Sequence, residues 1–298
     1  DTFILAVDAG TNNPPTAITL SATTVNENDA GALVGVLTTT DADAGDSHTY
    51  ALTGADADLF EVVNGELKLQ SNASADYETN STLAVTVTAT DTGGLTTFQN
   101  FTITVTDSND APTLANGLSN QTVNEGEAFT FTLPANTFTD EDGDSLTYTA
   151  TLSDGSALPS WLSFNASTGV FSGTPLNSDV AAITIKVTAT DPGGATASDT
   201  FTLTVNPTND APTSIALSDT SFDEGTNGAL IGTITVVDED DNAFTYAIHA
   251  ENANGDDISD LFEIVNGVLK LTDDNSFSYD ALHQPWSLTI TATDAGGL

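Results

Sequence analysis

The sequence predicts an all-β chain of tandem β-sandwiches set end to end, and three observations carry that expectation. The segment Asp107-Ser-Asn-Asp-Ala-Pro112 returns as Asn206-Pro-Thr-Asn-Asp-Ala-Pro212, with a degenerate copy, Asn12-Asn13-Pro14-Pro15, near the start. Asp110 and Asp210 stand 100 residues apart and Asn13 lies 97 before Asp110, a period that matches one small sandwich domain. Stretches such as Leu83-Ala-Val-Thr-Val-Thr-Ala-Thr90 and Phe101-Thr-Ile-Thr-Val105 alternate apolar and polar residues, the pattern of a half-buried strand. Asn64-Gly65 sits between two apolar runs, the strongest short-range hairpin signal.

In chain order, residues 1–8 (Asp-Thr-Phe-Ile-Leu-Ala-Val-Asp) read as a strand without a domain, matching Asp199–Asn206 near the end of the middle repeat. Residues 1–13 are therefore expected to be the last strand and linker of a preceding repeat. The first full repeat spans 14–110. Its strands are expected around Thr23–Leu37, Tyr50–Leu52, the Phe60–Leu69 hairpin, Leu83–Thr90 and Phe101–Val105, with Asp91-Thr-Gly-Gly94 as a turn. The second repeat, 111–210, keeps that frame but carries an unmatched centre, Leu158–Pro175. The third, 211–298, returns to the first pattern, with Phe262–Leu271 as its hairpin, and lacks a final strand. A strand of the missing kind opens the chain, so head-to-tail strand donation between copies is a further expectation.

Composition narrows the function. Asp and Glu number 43 against three Lys and Arg, a formal net charge of −40. Nucleic acid and anionic lipid need basic patches and are excluded as partners. No apolar run is long enough for membrane insertion. No cysteine is present, so disulfides do not staple the domains. Self-repulsion of this size opposes compact packing unless cations are recruited.

Catalytic signatures are missing. There is no Gly-x-Ser-x-Gly elbow and no phosphate loop. The paired carboxylates that could suggest glycoside hydrolysis fall at the linkers, so the chain is expected not to be an enzyme. His48 lies in the first repeat and His249 and His283 in the third, with no cysteine and no shared spacing, which argues against a transition-metal site. Trp161 is expected in the core, and Trp286 either in the core or on a ligand platform. At the linkers, proline restricts the backbone. Asn and Asp beside it bring oxygen donors where two rigid bodies meet, the setting for a shared hard cation.

The ordered set Glu27, Asp41-x-Asp43, Asp76-x-Glu78 and Asn109-Asp110-x-Pro112 resembles the cadherin repeat family. In the second repeat, Pro159-x-Trp-Leu-x-Phe-Asn165 and Thr168-Gly-x-Phe-Ser-Gly-Thr-Pro175 resemble its dystroglycan-type cadherin-like variant. The resemblance covers essentially the whole chain and implies Greek-key, immunoglobulin-like or cadherin-like sandwiches with Ca2+ between neighbours.

Carried over, it assigns Glu27, Asp76, Glu78, Asn109, Asp110, Asp140, Asp142 and Asp191 to the first junction. It assigns Glu125, Asn209, Asp210, Asp238, Asp240 and Asp294 to the second. Asp41, Asp43 and Asp91 fall at the incoming end. The second repeat lacks the Asp-x-Glu pair, and Asp179 is the candidate replacement. In the third repeat Ser278-Tyr279-Asp280 stands where the first has Asp76-Tyr77-Glu78. A like-charge pair about 4 Å apart costs about 4 kcal/mol at an effective dielectric of roughly 20, so such a group calls for a cation.

Acidic, Thr-rich, cysteine-free tandem copies look like extender regions of bacterial surface or secreted adhesins. The implied role is a calcium-rigidified extracellular spacer whose partners are calcium and neighbouring repeats. The alternatives are a calcium-dependent module that binds polysaccharide or protein, and a strand-donating subunit of an extracellular filament.

Overall fold

The computed structural model describes residues 10–275 and 286–298. The expected strand at residues 1–8, the Ser278-Tyr279-Asp280 segment and His283 lie outside them. The described chain is all-β, with strands in three successive sets. The first set is β1 (Ala17–Leu20), β2 (Thr24–Asn26), β3 (Leu33–Thr40), β4 (Thr49–Thr53), β5 (Phe60–Val63), β6 (Glu66–Leu69), β7 (Thr82–Thr90) and β8 (Thr96–Thr106). The second is β9 (Thr113–Leu114), β10 (Gln121–Asn124), β11 (Phe129–Thr132), β12 (Phe138–Thr139), β13 (Thr147–Leu152), β14 (Leu162–Asn165), β15 (Val170–Gly173), β16 (Ala182–Thr190) and β17 (Thr196–Asn206). The third is β18 (Ser214–Leu217), β19 (Leu230–Val237), β20 (Thr245–Glu251), β21 (Phe262–Val265), β22 (Val268–Leu271) and β23 (Ser287–Thr293).

Contacts divide the chain into two compact units. One comprises residues up to Leu118 with Pro134–Thr149 and Val187–Asp199; the other comprises Ser119–Leu133, Ala150–Lys186 and Thr200–Leu298. The first unit contains a complete two-sheet sandwich, ordered β1-β3-β6-β5 and β2-β8-β7-β4. Pairing is antiparallel except where β2 runs parallel to β8, with Val25 opposite Val105. The alternation read in the sequence is the burial pattern. Leu83, Val85, Val87 and Ala89 of β7 point inward with Ile103 and Val105 of β8, and the threonines between them face outward. Burying each large aliphatic side chain contributes about 1.5–3 kcal/mol. The β5–β6 hairpin closes through Asn64 (φ 54°) and Gly65 (φ 81°), with Val63 opposite Glu66. Both positive φ values suit the strand twist, as the sequence signal predicts.

The second unit centres part of its core on aromatics that the Leu158–Pro175 segment supplies. Phe164 and Phe171 pack tilted with ring centroids 4.5 Å apart, and Phe171 meets Phe201 edge-on at 5.6 Å. Trp161 is half-buried beside Gly173, where a Cβ would strike its carbonyl. Further along, one sheet runs β18-β19-β22-β21 and the other holds β20 and β23. Trp286 packs into this core, edge-on to Phe262 at 5.8 Å, which settles its two sequence-level alternatives in favour of packing. Among the described residues β23 has a neighbour on one side only. Its Leu288, Ile290 and Ala292 stay half-buried, whereas the matching β7 residues are covered by β8.

Candidate metal centres

The first linker is held by two carboxylates from opposite directions. Glu27, at the end of β2 and only 3% exposed, accepts the Ser108 N–H at 2.7 Å and the Tyr77 N–H at 2.6 Å. Asp142, in the loop after β12, accepts the Asp110 N–H at 2.7 Å. Between these contacts Asn109 donates its amide to buried Asp191 at 3.0 Å. The linker backbone is thus a set of donors that fixes carboxylates around itself.

The same arrangement occurs three times. The Asn13 N–H reaches Asp43 at 2.6 Å and the Asp210 N–H reaches Asp240 at 2.7 Å, as Asp110 reaches Asp142. Asn12 donates to Asp91 at 3.1 Å and Asn209 to Asp294 at 3.0 Å, as Asn109 does to Asp191. Thr208 donates to Glu125 at 2.6 Å, as Ser108 does to Glu27. The degenerate Asn12-Asn13 copy therefore keeps the backbone geometry of the full linkers.

A glycine makes room for each linker asparagine: a Cβ on Gly93, Gly193 or Gly296 would overlap the side chain of Asn12, Asn109 or Asn209. Gly193→Ala is expected to turn Asn109 away from Asp191 and break that charge-assisted bond. The melting temperature of the folded chain should then fall by several degrees. An unchanged melt would mean the Asn109 contact carries no stability.

Four groups of carboxylates bring one oxygen each within 4.8 Å of one another: Glu27, Glu78, Asp107 and Asp142; Asp140, Asp142 and Asp144; Asp41, Asp43 and Asp46; and Glu125, Asp210 and Asp240. Asp142 belongs to two of them. Like charges and desolvation disfavour ionisation of several carboxylates in and beside these clusters. Glu78 is raised from its ordinary value by desolvation and by the charges of Glu27, Asp142 and Asp107. Asp110 is raised by desolvation, Glu27 and Asp142, against an amide bond from Asn28. Asp144 is raised by desolvation, Asp140 and Asp142, and neighbouring Glu141 chiefly by the charge of Asp76. The linker-facing aspartates respond oppositely. Asp191 is lowered mainly by the Asn109 amide, and Asp294 mainly by the Leu298 N–H.

The donor chemistry fits a hard divalent cation. Glu125 Oε2, Asp46 Oδ2, Asp140 Oδ2, Asp142 Oδ1 and Asp238 Oδ2 are buried and accept no hydrogen bond. An ionised carboxylate only accepts, and an orphaned buried acceptor is costly. Six to eight such oxygens at short range are what Ca2+ takes.

The structure also sorts the sequence-level candidates. Glu27, Glu78, Asp142 and Asp140 fall in clusters at the first junction; Glu125, Asp210 and Asp240 fall in one at the second; and Asp41 and Asp43 in one at the incoming end. Asp110 enters through its backbone N–H and bonds Asn28 with its side chain at 2.9 Å. Asp76 turns both oxygens onto Thr79, at 2.7 and 2.8 Å. Asp238 caps its own loop, accepting the N–H groups of Asp240 and Asp241. Asp91, Asp191 and Asp294 hold the linker asparagines, so Asn109 and Asn209 present donors on that side.

Asp179, the candidate replacement for the missing pair, falls in none of these clusters. It accepts the Leu176 N–H at 3.0 Å within its own turn, and Asn177 reaches the site instead. The sequence reasoning missed Asp107, Asp46, Asp144 and Asn177. A third carboxylate does follow each Asp-x-Asp, but at unequal spacings (Asp41-x-Asp43-x-x-Asp46 against Asp140-x-Asp142-x-Asp144), and that local signal could have found two of them.

Comparison with known proteins places the fold. A family model described as "Putative Ig domain" matches residues 111–206. No curated protein matches the chain. The solved structure of mouse cadherin-23 EC22-24 is similar at a TM-score of 0.64 and 20% identity, over 95% of this chain and 94% of that one. Extracellular cadherin domains 1-4 of protocadherin gamma B7 give 0.57 at 19% identity, over 95% and 76%. The PcdhgB3 EC1-4 structure gives 0.56 at 21%, over 95% and 72%. At such identities the likeness is one of fold: this is a tandem array of β-sandwiches of the kind seen in cadherin extracellular repeats.

Proposed function

We propose that this chain is a calcium-stiffened structural segment, an extender within a bacterial surface or secreted adhesin, working outside the cell and without catalysis. The observation that carries the proposal is the threefold linker arrangement. A backbone N–H and an asparagine amide recur against the same two aspartates, with a cluster of carboxylates beside each linker. At each full linker one cluster joins carboxylates from both sides: Glu27 and Glu78 before it and Asp142 after it at the first, Glu125 before it and Asp240 after it at the second. A cation bound there ties the two together and removes the repulsion between them. Glu27, Glu78, Asp107, Asp140, Asp142 and Asp144 would hold it at the first linker, and Glu125, Asp210 and Asp240 at the second. The bacterial setting is supported by the resemblance of an acidic, Thr-rich, cysteine-free array to adhesin extender regions. Among the described residues no helix is long and apolar enough to cross a membrane.

Small-angle scattering with calcium and with a chelator tests the proposal: the expected result is a stiff particle in calcium that becomes flexible without it. Asp110→Ala is the local check. The substitution keeps the backbone N–H on Asp142 but removes a linker charge and the Asn28 bond. Calorimetry should show weaker calcium uptake, with each sandwich still folded. If affinity, stoichiometry and scattering profile all survive, the Asp110 side chain has no part in the junction.

A further inference from the structure

The two full linkers differ in what faces the acidic loop that follows each of them. At the first, the segment before β7 presents Glu78, whose carboxylate joins Glu27, Asp107 and Asp142. Among the described residues, none at the Glu78 position donates a side-chain hydrogen bond to the 140–144 loop. At the second, the matching place is a 3₁₀ turn, Asn177–Asp179. Asp179 closes that turn onto the Leu176 N–H at 3.0 Å, and the Val180 N–H returns to the Asn177 carbonyl at 3.1 Å. So held, Asn177 projects its amide to the loop after β19, donating to the Glu239 carbonyl at 3.1 Å and lying 3.5 Å from Asp240 Oδ1. A backbone bond from Gly126 to Pro175 at 2.8 Å ties the turn to Glu125.

The charge count runs the same way. Four mutually close carboxylates make six repelling pairs at the first linker, while the three at the second make three. The second cluster is nonetheless built for a cation. Glu125 is 4% exposed, and its Oε2 accepts no hydrogen bond. It lines a cleft of about 540 Å³ with Leu176, Asn177, Thr208, Asp210 and Glu239.

We propose that calcium withdrawal releases the first linker while Asn177 keeps the second one latched, so that the segment has one calcium-dependent hinge and one that stays docked. The proposal rests on the calcium reading above. A neutral amide offers donors where Glu78 offers only acceptors. It attracts the acidic loop that a carboxylate in its place would repel. With a cation present both linkers are closed; without it, among the described residues, only the second retains a direct side-chain bond from the sandwich before it to the one after it.

The absence of cysteine makes the test direct, because introduced cysteines are the only label sites. In the full chain, spin labels at Thr102→Cys and Thr130→Cys span the first linker, and labels at Thr130→Cys and Thr235→Cys span the second; all three positions are exposed. Pulsed electron resonance then reads both distance distributions in calcium and in chelator. The first pair is expected to lose its narrow peak in chelator, and the second to keep it. Asn177→Ala should cost the second pair that peak in chelator but not in calcium. Asn177→Asp should give it the calcium dependence of the first. The proposal is overturned if the unsubstituted second pair broadens in chelator as the first does, or if Asn177→Ala leaves it narrow. A first pair that is equally narrow in both conditions, with no calcium taken up in calorimetry, instead defeats the calcium reading itself.

Discussion

Chelating calcium is expected to lower the melting temperature of the chain by ten degrees or more (~10–20 °C). A ligand that binds only the folded state adds RT ln(1 + [L]/Kd), about 2.7 kcal/mol per site at a hundredfold excess over Kd. For a domain of about 60–100 residues, 1 kcal/mol moves the melt by about 4–8 °C. The first junction should respond most, since it gathers two overlapping clusters, Glu27-Glu78-Asp107-Asp142 and Asp140-Asp142-Asp144. Desolvation and neighbouring charge already oppose ionisation of Glu78, Asp110 and Asp144 there. Scanning calorimetry in millimolar calcium against excess chelator reads the effect, and superimposable melts would remove the cation from the account. Magnesium should substitute poorly, because it demands near-ideal octahedral geometry, whereas this set of loop carboxylates suits the larger, more adaptable shell of calcium.

Much of the fold was legible because a strand buried on one face writes its burial into the sequence. The run Leu83-Ala-Val-Thr-Val-Thr-Ala-Thr90 alternates, and its Leu83, Val85, Val87 and Ala89 are the residues that β7 buries. Asn64-Gly65 named its own turn through φ values few other residues accept. The sites were legible only where they repeat. Recurrence at a fixed phase picked out Glu27 with Glu125, and Asp142 with Asp240. It passed over Asp107, because Pro207 occupies the matching position in the next linker.

Identity alone also could not say where a carboxylate spends its hydrogen bonds. Asp76 and Asp179 look equivalent to their neighbours as acidic residues, yet each folds back onto its own turn. Asn177 carried no signal at all, since a single amide in a polar loop acquires meaning only when the Glu239 carbonyl is placed against it.

Glu27→Ala should be the most damaging single substitution at the first linker, and the only one of the pair Glu27 and Glu78 to destabilise the chain without calcium. Glu27 is almost fully buried, and its two oxygens terminate the N–H groups of Ser108 and Tyr77. Those bonds need no cation. Truncation leaves two donors without partners, at about 1–3 kcal/mol each, for a loss of about 2–6 kcal/mol. The loss should appear in chelator and grow in calcium, where a ligand disappears as well. Glu27→Gln keeps one acceptor oxygen and should recover part of the chelator loss. Glu78 differs in kind. It is exposed, and its carboxylate is pushed upward by desolvation and by Glu27, Asp142 and Asp107. Glu78→Ala should therefore lower the melt only in calcium, and in chelator leave it unchanged or raise it, because a repelling charge is gone. Paired melts of both variants in both conditions decide the matter. If Glu27→Ala is harmless in chelator, the linker does not depend on its two backbone bonds. If Glu78→Ala costs stability there, Glu78 is a structural residue rather than a cation ligand.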